Sequence, residues 1–385
     1  MRNKRLDVLR CIAVLLVIYA HSKLPGHFTS VGRVGVDLFF VLSGFLISGL
    51  LFTEFKNRGT ISLRRFFIRR ALKIYPSFYF LLLVSFVYQL LFHQVAPLSR
   101  YLGELFYVQN YGTLLWGHEW SLAVEEHFYI MLPLFLLILI RRGLSQRADP
   151  FTTMPVTFLI VAITCLVLRI ATVMTISTSD LQRWEAYRWA YATTHCRLDG
   201  LCFGVLLGYL HHFRPDILDG LFNRRSRVLS LVALAAVLLS PCLLLPAANR
   251  FMITAGMTAL YLGFGILLIL CLRVQGILPQ AIRTPCTWIG TGCAYVGMHS
   301  YSVYLWHLPI QVWGFAFIAK FLHSQIGVLS WFVFYAVFSV ALGIFMSRLL
   351  EYPVLKLRDR IFPAMPEQPM FQPLGDKDIR QAAAP

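Results

Sequence analysis

Arg10-Cys11-Ile12-Ala13-Val14-Leu15-Leu16-Val17-Ile18-Tyr19-Ala20-His21 is the stretch that decides how this chain folds. An uncharged, mostly apolar run separates an arginine from a histidine. Extended to residues 6–24, the run has the length of a membrane-spanning helix. At 100° per residue, eleven steps make three turns plus about 20°, so Arg10 and His21 share one face. They lie about 16 Å apart along the axis. Ionisable groups inside a bilayer are costly, and their presence there points to a working site.

The rest of the chain has the same character. Of its 385 residues, 58% are hydrophobic and only 14% charged, and the mean hydropathy is +0.66. These values exclude an ordinary soluble domain and predict an all-α, polytopic integral membrane protein. The net charge of +17 is no nucleic-acid signal, because the basic residues sit between apolar segments, as membrane topology requires. The eight cysteines, Cys11, Cys165, Cys196, Cys202, Cys242, Cys271, Cys286 and Cys293, form no CxxC pair and mostly fall in apolar runs. They read as small hydrophobes, neither a disulfide framework nor a zinc site. HExxH, P-loop and GxSxG patterns are absent, and His118-Glu119 lacks the second histidine of a zinc helix. No metal and no nucleotide hydrolysis are expected. The basic N-terminus followed by an apolar run resembles a signal peptide, but polar His21 stands where cleavage would fall, so the run reads as a retained first span.

About ten transmembrane helices are predicted, at 6–24, 34–53, 72–94, 121–140, 154–176, 194–212, 228–246, 251–272, 293–317 and 326–349. Segment 101–115 is apolar but short, as a re-entrant or interfacial piece would be. Positive charge concentrates in alternate connections: Lys56 to Lys73, Arg141 to Arg147, Arg214 to Arg227, Arg273 and Arg283, and the C-terminal group from Arg348 to Arg380. By the positive-inside rule both termini are cytoplasmic. Residues 1–360 read as one transmembrane domain, and 361–385, rich in Pro, Gln and Ala, as a disordered cytoplasmic tail.

Several polar motifs punctuate the spans. Gly35-Val36-Asp37-Leu38-Phe39-Phe40-Val41-Leu42-Ser43-Gly44 opens the second, and Arg69-Arg70-Ala71-Leu72-Lys73-Ile74-Tyr75-Pro76 precedes or opens the third. Trp120-Ser121-Leu122-Ala123-Val124-Glu125-Glu126 opens the fourth. Arg197-Leu198-Asp199-Gly200-Leu201, Tyr304-Leu305-Trp306-His307 and Glu351-Tyr352-Pro353 follow. Taken in order over residues 5–355, with the Arg10–His21 spacing, these closely resemble the membrane-bound acyltransferase family 3. Members of that family move acyl groups onto carbohydrates and related acceptors.

On residue chemistry alone, several side chains carry two readings. His21 is either a histidine satisfied by a helix neighbour or a general base titrating near neutrality; the resemblance implies that it is essential. Arg10 is either a topology anchor or a clamp for acyl-CoA phosphates. The cluster Arg69, Arg70 and Lys73 suits the same phosphates or the anionic inner leaflet, with Lys73 standing where the family has a second arginine. Asp37 could orient the His21 ring and stabilise its imidazolium, or cap its span; Glu125, to which the family motif points, or its neighbour Glu126 could likewise pair with His21 or bind a sugar hydroxyl. Tyr129, Arg197 and His307 are candidate substrate contacts. Arg197 and Asp199 could also pair with each other, and Tyr304 and His307 could belong to an interfacial aromatic belt. Pro76 fits the first turn of a helix. Gly200, Gly204 and Gly208 read as a helix-packing face.

The resemblance implies an O-acyltransferase of the bacterial inner membrane. Acyl-CoA, most often acetyl-CoA, would be the co-substrate and a carbohydrate or glycolipid the acceptor, with membrane lipids as partners and no nucleic acid. The sequence does not specify an oligomeric state. A sugar or lipid transporter is the competing class; against it, no inverted repeat is visible.

Overall fold

A Ser62 side chain accepting a hydrogen bond from the Arg65 amide (3.4 Å) starts one of the longest helices of the chain; Gly59, left-handed at φ 69°, has just ended the helix before it. The computed structural model describes residues 3–22, 24, 28–93, 95–142, 149–177, 179–180, 183–222, 224–246, 248–273, 280–317 and 327–363, without the side chains of 28–30 and 280–287. Arg147, Lys377, Arg380 and the expected tail from 364 onward lie outside that description, as do the side chains of Arg283 and Cys286.

Every regular element among the described residues is helical. In chain order they are α1 (Lys4–Ala20), α2 (Phe28–Arg33), α3 (Gly35–Arg58), α4 (Leu63–Leu91), α5 (Leu98–Leu105), α6 (Trp120–Arg141) and α7 (Met154–Met174). Then come α8 (Trp184–Tyr191), α9 (Leu198–Phe213), α10 (Pro215–Phe222), α11 (Arg225–Leu239), α12 (Pro241–Leu244), α13 (Met257–Arg273) and α14 (Gln280–Met298). Last are α15 (Ser300–Pro309), α16 (Val328–Met346) and α17 (Tyr352–Ile361). The described helices include 7 long and apolar enough to cross a membrane, which makes the chain an integral membrane protein. The expected ten differ in three places. α1 has 17 residues and α9 has 16, shorter than those seven; the expected span at 293–317 is interrupted at His299, between α14 and α15. α4 also begins nine residues before the expected 72, so Pro76 lies inside the helix and not in its first turn. There it removes one backbone hydrogen bond.

α3 is the centre of the bundle, packed by α1, α6, α9 and α13. Its closest neighbour is α9, and glycine makes that approach possible. A Cβ on Gly44 would collide with the Leu201 carbonyl, and one on Gly204 with the Val41 carbonyl and the Phe45 amide. Gly208 faces Ser48 in the same way, whereas Gly200 has ordinary contacts with Phe40 and Tyr261.

Basic residues gather at one end of the bundle. Arg5 of α1 donates to the carbonyls of Cys271 (3.2 Å) and Leu272 (2.9 Å) at the end of α13. Arg65 and Arg69 of α4 donate to the carbonyls of Pro363 and Phe362, beyond α17. Arg10 belongs to this end and His21 to the other.

Replacing Gly204 with Val should lower thermal stability by about 1–3 kcal/mol or more, because backbone, not a pliable side chain, stands in the way. Melting of the purified protein in detergent reads this directly, and an unchanged midpoint would mean that α3 and α9 do not touch at Gly204.

Candidate functional site

His21 caps the C-terminal end of α1. Its Nδ1 lies 2.9 Å from the Val17 carbonyl and 3.4 Å from Nε2 of His307. A carbonyl only accepts, so the Nδ1 proton points to Val17 and Nε2 carries the basic lone pair. His307 is fully buried, and its own Nδ1 is bonded to the Tyr304 carbonyl. Its Nε2 is therefore an acceptor turned toward His21. The Gln311 side chain donates to the His21 carbonyl and fixes the backbone. His118 stacks edge-on against His307, with ring centroids 4.7 Å apart. Its Nε2 donates to the Leu305 carbonyl (3.2 Å), while Nδ1 is buried with no hydrogen-bond partner. Burial, with His21 nearby, pulls the His118 imidazole down to about 3, so it stays neutral. No three-residue metal-binding group is present among the described residues.

His21 and His118 line a cavity of about 780 Å³, open at one side, whose walls are mainly Trp120, Trp184, Tyr187 and Tyr191. A second cavity, of about 820 Å³ with its mouth included, lies toward the basic end. Arg10, Arg70, Lys73, Glu125 and Tyr129 line it. Val36 and Tyr304 line both cavities. Tyr304 is held at this junction by its hydroxyl, bonded to Ser121 (2.6 Å) and to the His118 carbonyl (2.7 Å).

The second cavity has its own polar frame. The Arg70 guanidinium lies 3.7 Å over the Tyr129 ring and 3.8 Å from Glu125. Tyr129 donates to Glu125, and both reach the Ser43 hydroxyl. Lys73 pairs with Glu351, which also accepts from Ser302. Arg69, expected beside Arg70, turns instead to Asp359 (3.2 Å) and the Phe362 carbonyl and does not line the cavity.

Asp37 and Glu125 were the expected partners of His21, and the structure brings neither to it. Asp37 accepts from Arg197 at 2.7 Å, and Glu125 is engaged at the basic end. Arg197 and Asp199 do not pair with each other: Asp199 is bonded to Arg169 at 2.7 Å. Arg197 is 2% exposed, enclosed by Phe40, Trp120 and Tyr191, and lines neither cavity. His307 likewise stands behind His21 and lines neither cavity. Tyr129 does line one.

Three residues escaped the sequence reading. Arg169 sits within the apolar run of α7, a charge whose cost inside a membrane was the available signal. Arg33 and His118 carried no such signal; only the folding of the connections beside His21 assembles them. Asn110 donates to Thr194 (2.9 Å), Gln109 to the Glu119 carbonyl (3.0 Å), and Trp116 to Ser85 (2.9 Å), which fixes the segment presenting His118. Glu104 and Glu119 are buried side by side in that segment. Burial pushes Glu104 up to about 8, and burial with Glu104 beside it holds Glu119 well above the usual carboxylate range.

A family profile described as an acyltransferase domain matches residues 3–348. The peptidoglycan O-acetyltransferase OatA of Listeria monocytogenes is 28% identical over 328 residues, covering 79% of this chain and 49% of that protein. The O-acetyltransferase OatA of Staphylococcus aureus (strain NCTC 8325) is 27% identical over 382 residues, covering 94% of this chain and 59% of that protein. The chain thus spans about half the length of the curated relatives it matches. No solved structure matches it.

Two measurements check this geometry. Asp37→Ala leaves a buried guanidinium unpaired and should cost about 3–5 kcal/mol, most of it recovered in Asp37→Leu with Arg197→Met. Unfolding midpoints of the three proteins test it; a wild-type midpoint for the single variant would remove the pair from the core. Secondly, Glu104 keeps its proton in the fold up to about pH 8, whereas the unfolded chain loses it near pH 4.5. Its contribution is full below pH 4.5 and is lost as pH rises toward 8. Glu104→Gln should flatten that decline in the melting temperature, and an unaltered slope would disprove the assignment.

Proposed function

The chain belongs to the acyltransferase family whose profile spans residues 3–348, and on that premise we propose that it is a membrane-bound O-acyltransferase. It moves an acetyl group from acetyl-CoA to a hydroxyl of a carbohydrate or glycolipid, in the bacterial inner membrane with both termini cytoplasmic. One observation carries the reading: a cavity lined by Arg10, Arg70 and Lys73 and a cavity lined by His21 share Val36 and Tyr304. A donor with an anionic head and an extended thioester arm suits the first. An acceptor presenting a hydroxyl to a neutral imidazole suits the second.

In this mechanism Arg70 and Arg10 bind donor phosphates, and Lys73 joins them by exchanging Glu351 for the anion. Glu125 and Tyr129 hold the Arg70 guanidinium in position. The acceptor oxygen attacks the thioester carbonyl as His21 Nε2 takes its proton. The new bond is carbon to oxygen, the broken one carbon to sulfur, and the proton ends on the departing CoA thiol. His307 and Val17 are positioning groups that keep Nε2, not Nδ1, available. Asp37 acts through Arg197 as part of the frame and not as a partner of the base. The transporter alternative finds no support in the family match.

Purified protein given acetyl-CoA and a crude envelope glycan extract should release free thiol, and His21→Ala should lower the rate about 10²–10⁴-fold. Arg70→Gln should instead raise KM for acetyl-CoA with a smaller change in kcat. Equal release by wild type and His21→Ala would take His21 out of the chemistry; absence of release by wild type would reject acyl transfer from this donor.

A further inference from the structure

The His21 cavity has an uneven lining. Its aromatic and small residues carry no charge, and among the described residues that line it Arg33 alone is a permanent cation. Arg33, at the end of α2, is exposed, and its guanidinium donates to the Tyr187 hydroxyl at 2.7 Å. No carboxylate lies within ion-pair distance of it among the described residues, in contrast to Arg169 and Arg197. One Nη is thus fixed on a neutral hydroxyl, leaving the fork's charge uncompensated. On the same cavity His118 offers a buried Nδ1 that has no donor, because its proton is committed to Leu305 through Nε2. An unmet acceptor in a buried site calls for a hydroxyl.

From this juxtaposition we infer that the acceptor is an anionic carbohydrate: a sugar whose carboxylate or phosphate is bound by Arg33 while one of its hydroxyls donates to His118 Nδ1. The inference rests on the proposed acyl transfer for its meaning and goes further by specifying the charge of the acceptor. The aromatic walls accommodate the apolar faces of sugar rings, and the cation supplies what they cannot, a preference by charge. Arg33 is a specificity residue here. Among the described residues no other lysine or arginine lines this cavity, since Arg10, Arg70 and Lys73 belong to the other one.

The test is binding, followed by tryptophan fluorescence because Trp120 and Trp184 line the cavity. The intact protein in nanodiscs would be titrated with glycan chains containing N-acetylmuramic acid, with their carboxyl methyl esters, and with the esters carrying a terminal phosphate. Wild type should bind an anionic chain about 10–100-fold more tightly than the plain ester, the range expected of a charge-assisted hydrogen bond. Arg33→Gln should abolish that preference and Arg33→Lys should retain part of it. Preference for the free acid identifies a carboxylate, and preference for the phosphorylated ester alone identifies a phosphate; either supports the inference. Equal binding of all three by wild type, an undiminished preference in Arg33→Gln, or no binding of any chain overturns it. Thiol release is measured in parallel. Arg33-dependent binding without thiol release would reject acyl transfer while leaving the anion site standing.

Discussion

An ionised side chain inside an apolar bundle has to meet its opposite, and two such meetings hold this protein in register. Asp37 of α3 receives Arg197, which stands at the entrance of α9; Asp199, two residues on, receives Arg169 from α7. Arg169 also donates to the Cys196 carbonyl (2.9 Å) and to Thr258 of α13 (3.0 Å). Four helices are thereby tied at one level, on the His21 side of the bundle. With removal of either partner, the desolvation cost of the other is left uncompensated. The glycine contact between α3 and α9 then brings the backbones close enough for the first pair to close.

The position of the two cavities follows from that frame. α3 lends Val36 to the boundary between the two cavities and Ser43 to the basic one. α1 runs alongside, so Arg10 and the C-cap His21 open into different cavities. The same-face relation of Arg10 and His21 matters because a single extended molecule could touch both ends. Around His21 the one described cation on the cavity is Arg33, and the imidazoles of His21, His307 and His118 are orientated by the carbonyls of Val17, Tyr304 and Leu305 respectively. A ring held this way is orientated without a carboxylate.

Local features were legible in the sequence and pairings were not. Helical period put Arg10 and His21 on one face, and the spacing of Gly204 and Gly208 declared a packing face, because both are properties of one helix. Asp37 announced itself as a costly charge, but its partner lies 160 positions away, and nothing local distinguishes Arg197 from His21 as the group it meets. Arg69 and Arg70 are neighbours in sequence, yet a helix turns 100° between them, so one faces the cavity and the other the C-terminal helix. The third span was misjudged at its start because Arg64 to Arg70 look like a loop by polarity, whereas Ser62 caps a helix that carries them. His118 resides in a connection and Arg33 ends a helix of only six residues, and neither offers a periodicity to read.

The continuous helical segment from Val328 to Ile361 delivers Glu351, Asp359 and the Phe362 carbonyl to Lys73 and Arg69. These groups are tethered ligands. They hold the basic residues at a fixed effective concentration, independent of how dilute the protein is. Any anion drawn to Lys73 or Arg69 therefore competes with the chain's own C-terminal segment, and by linkage its arrival loosens that segment as much as the segment weakens it. The far end of the polypeptide and the mouth of the basic cavity are in this sense two halves of one equilibrium.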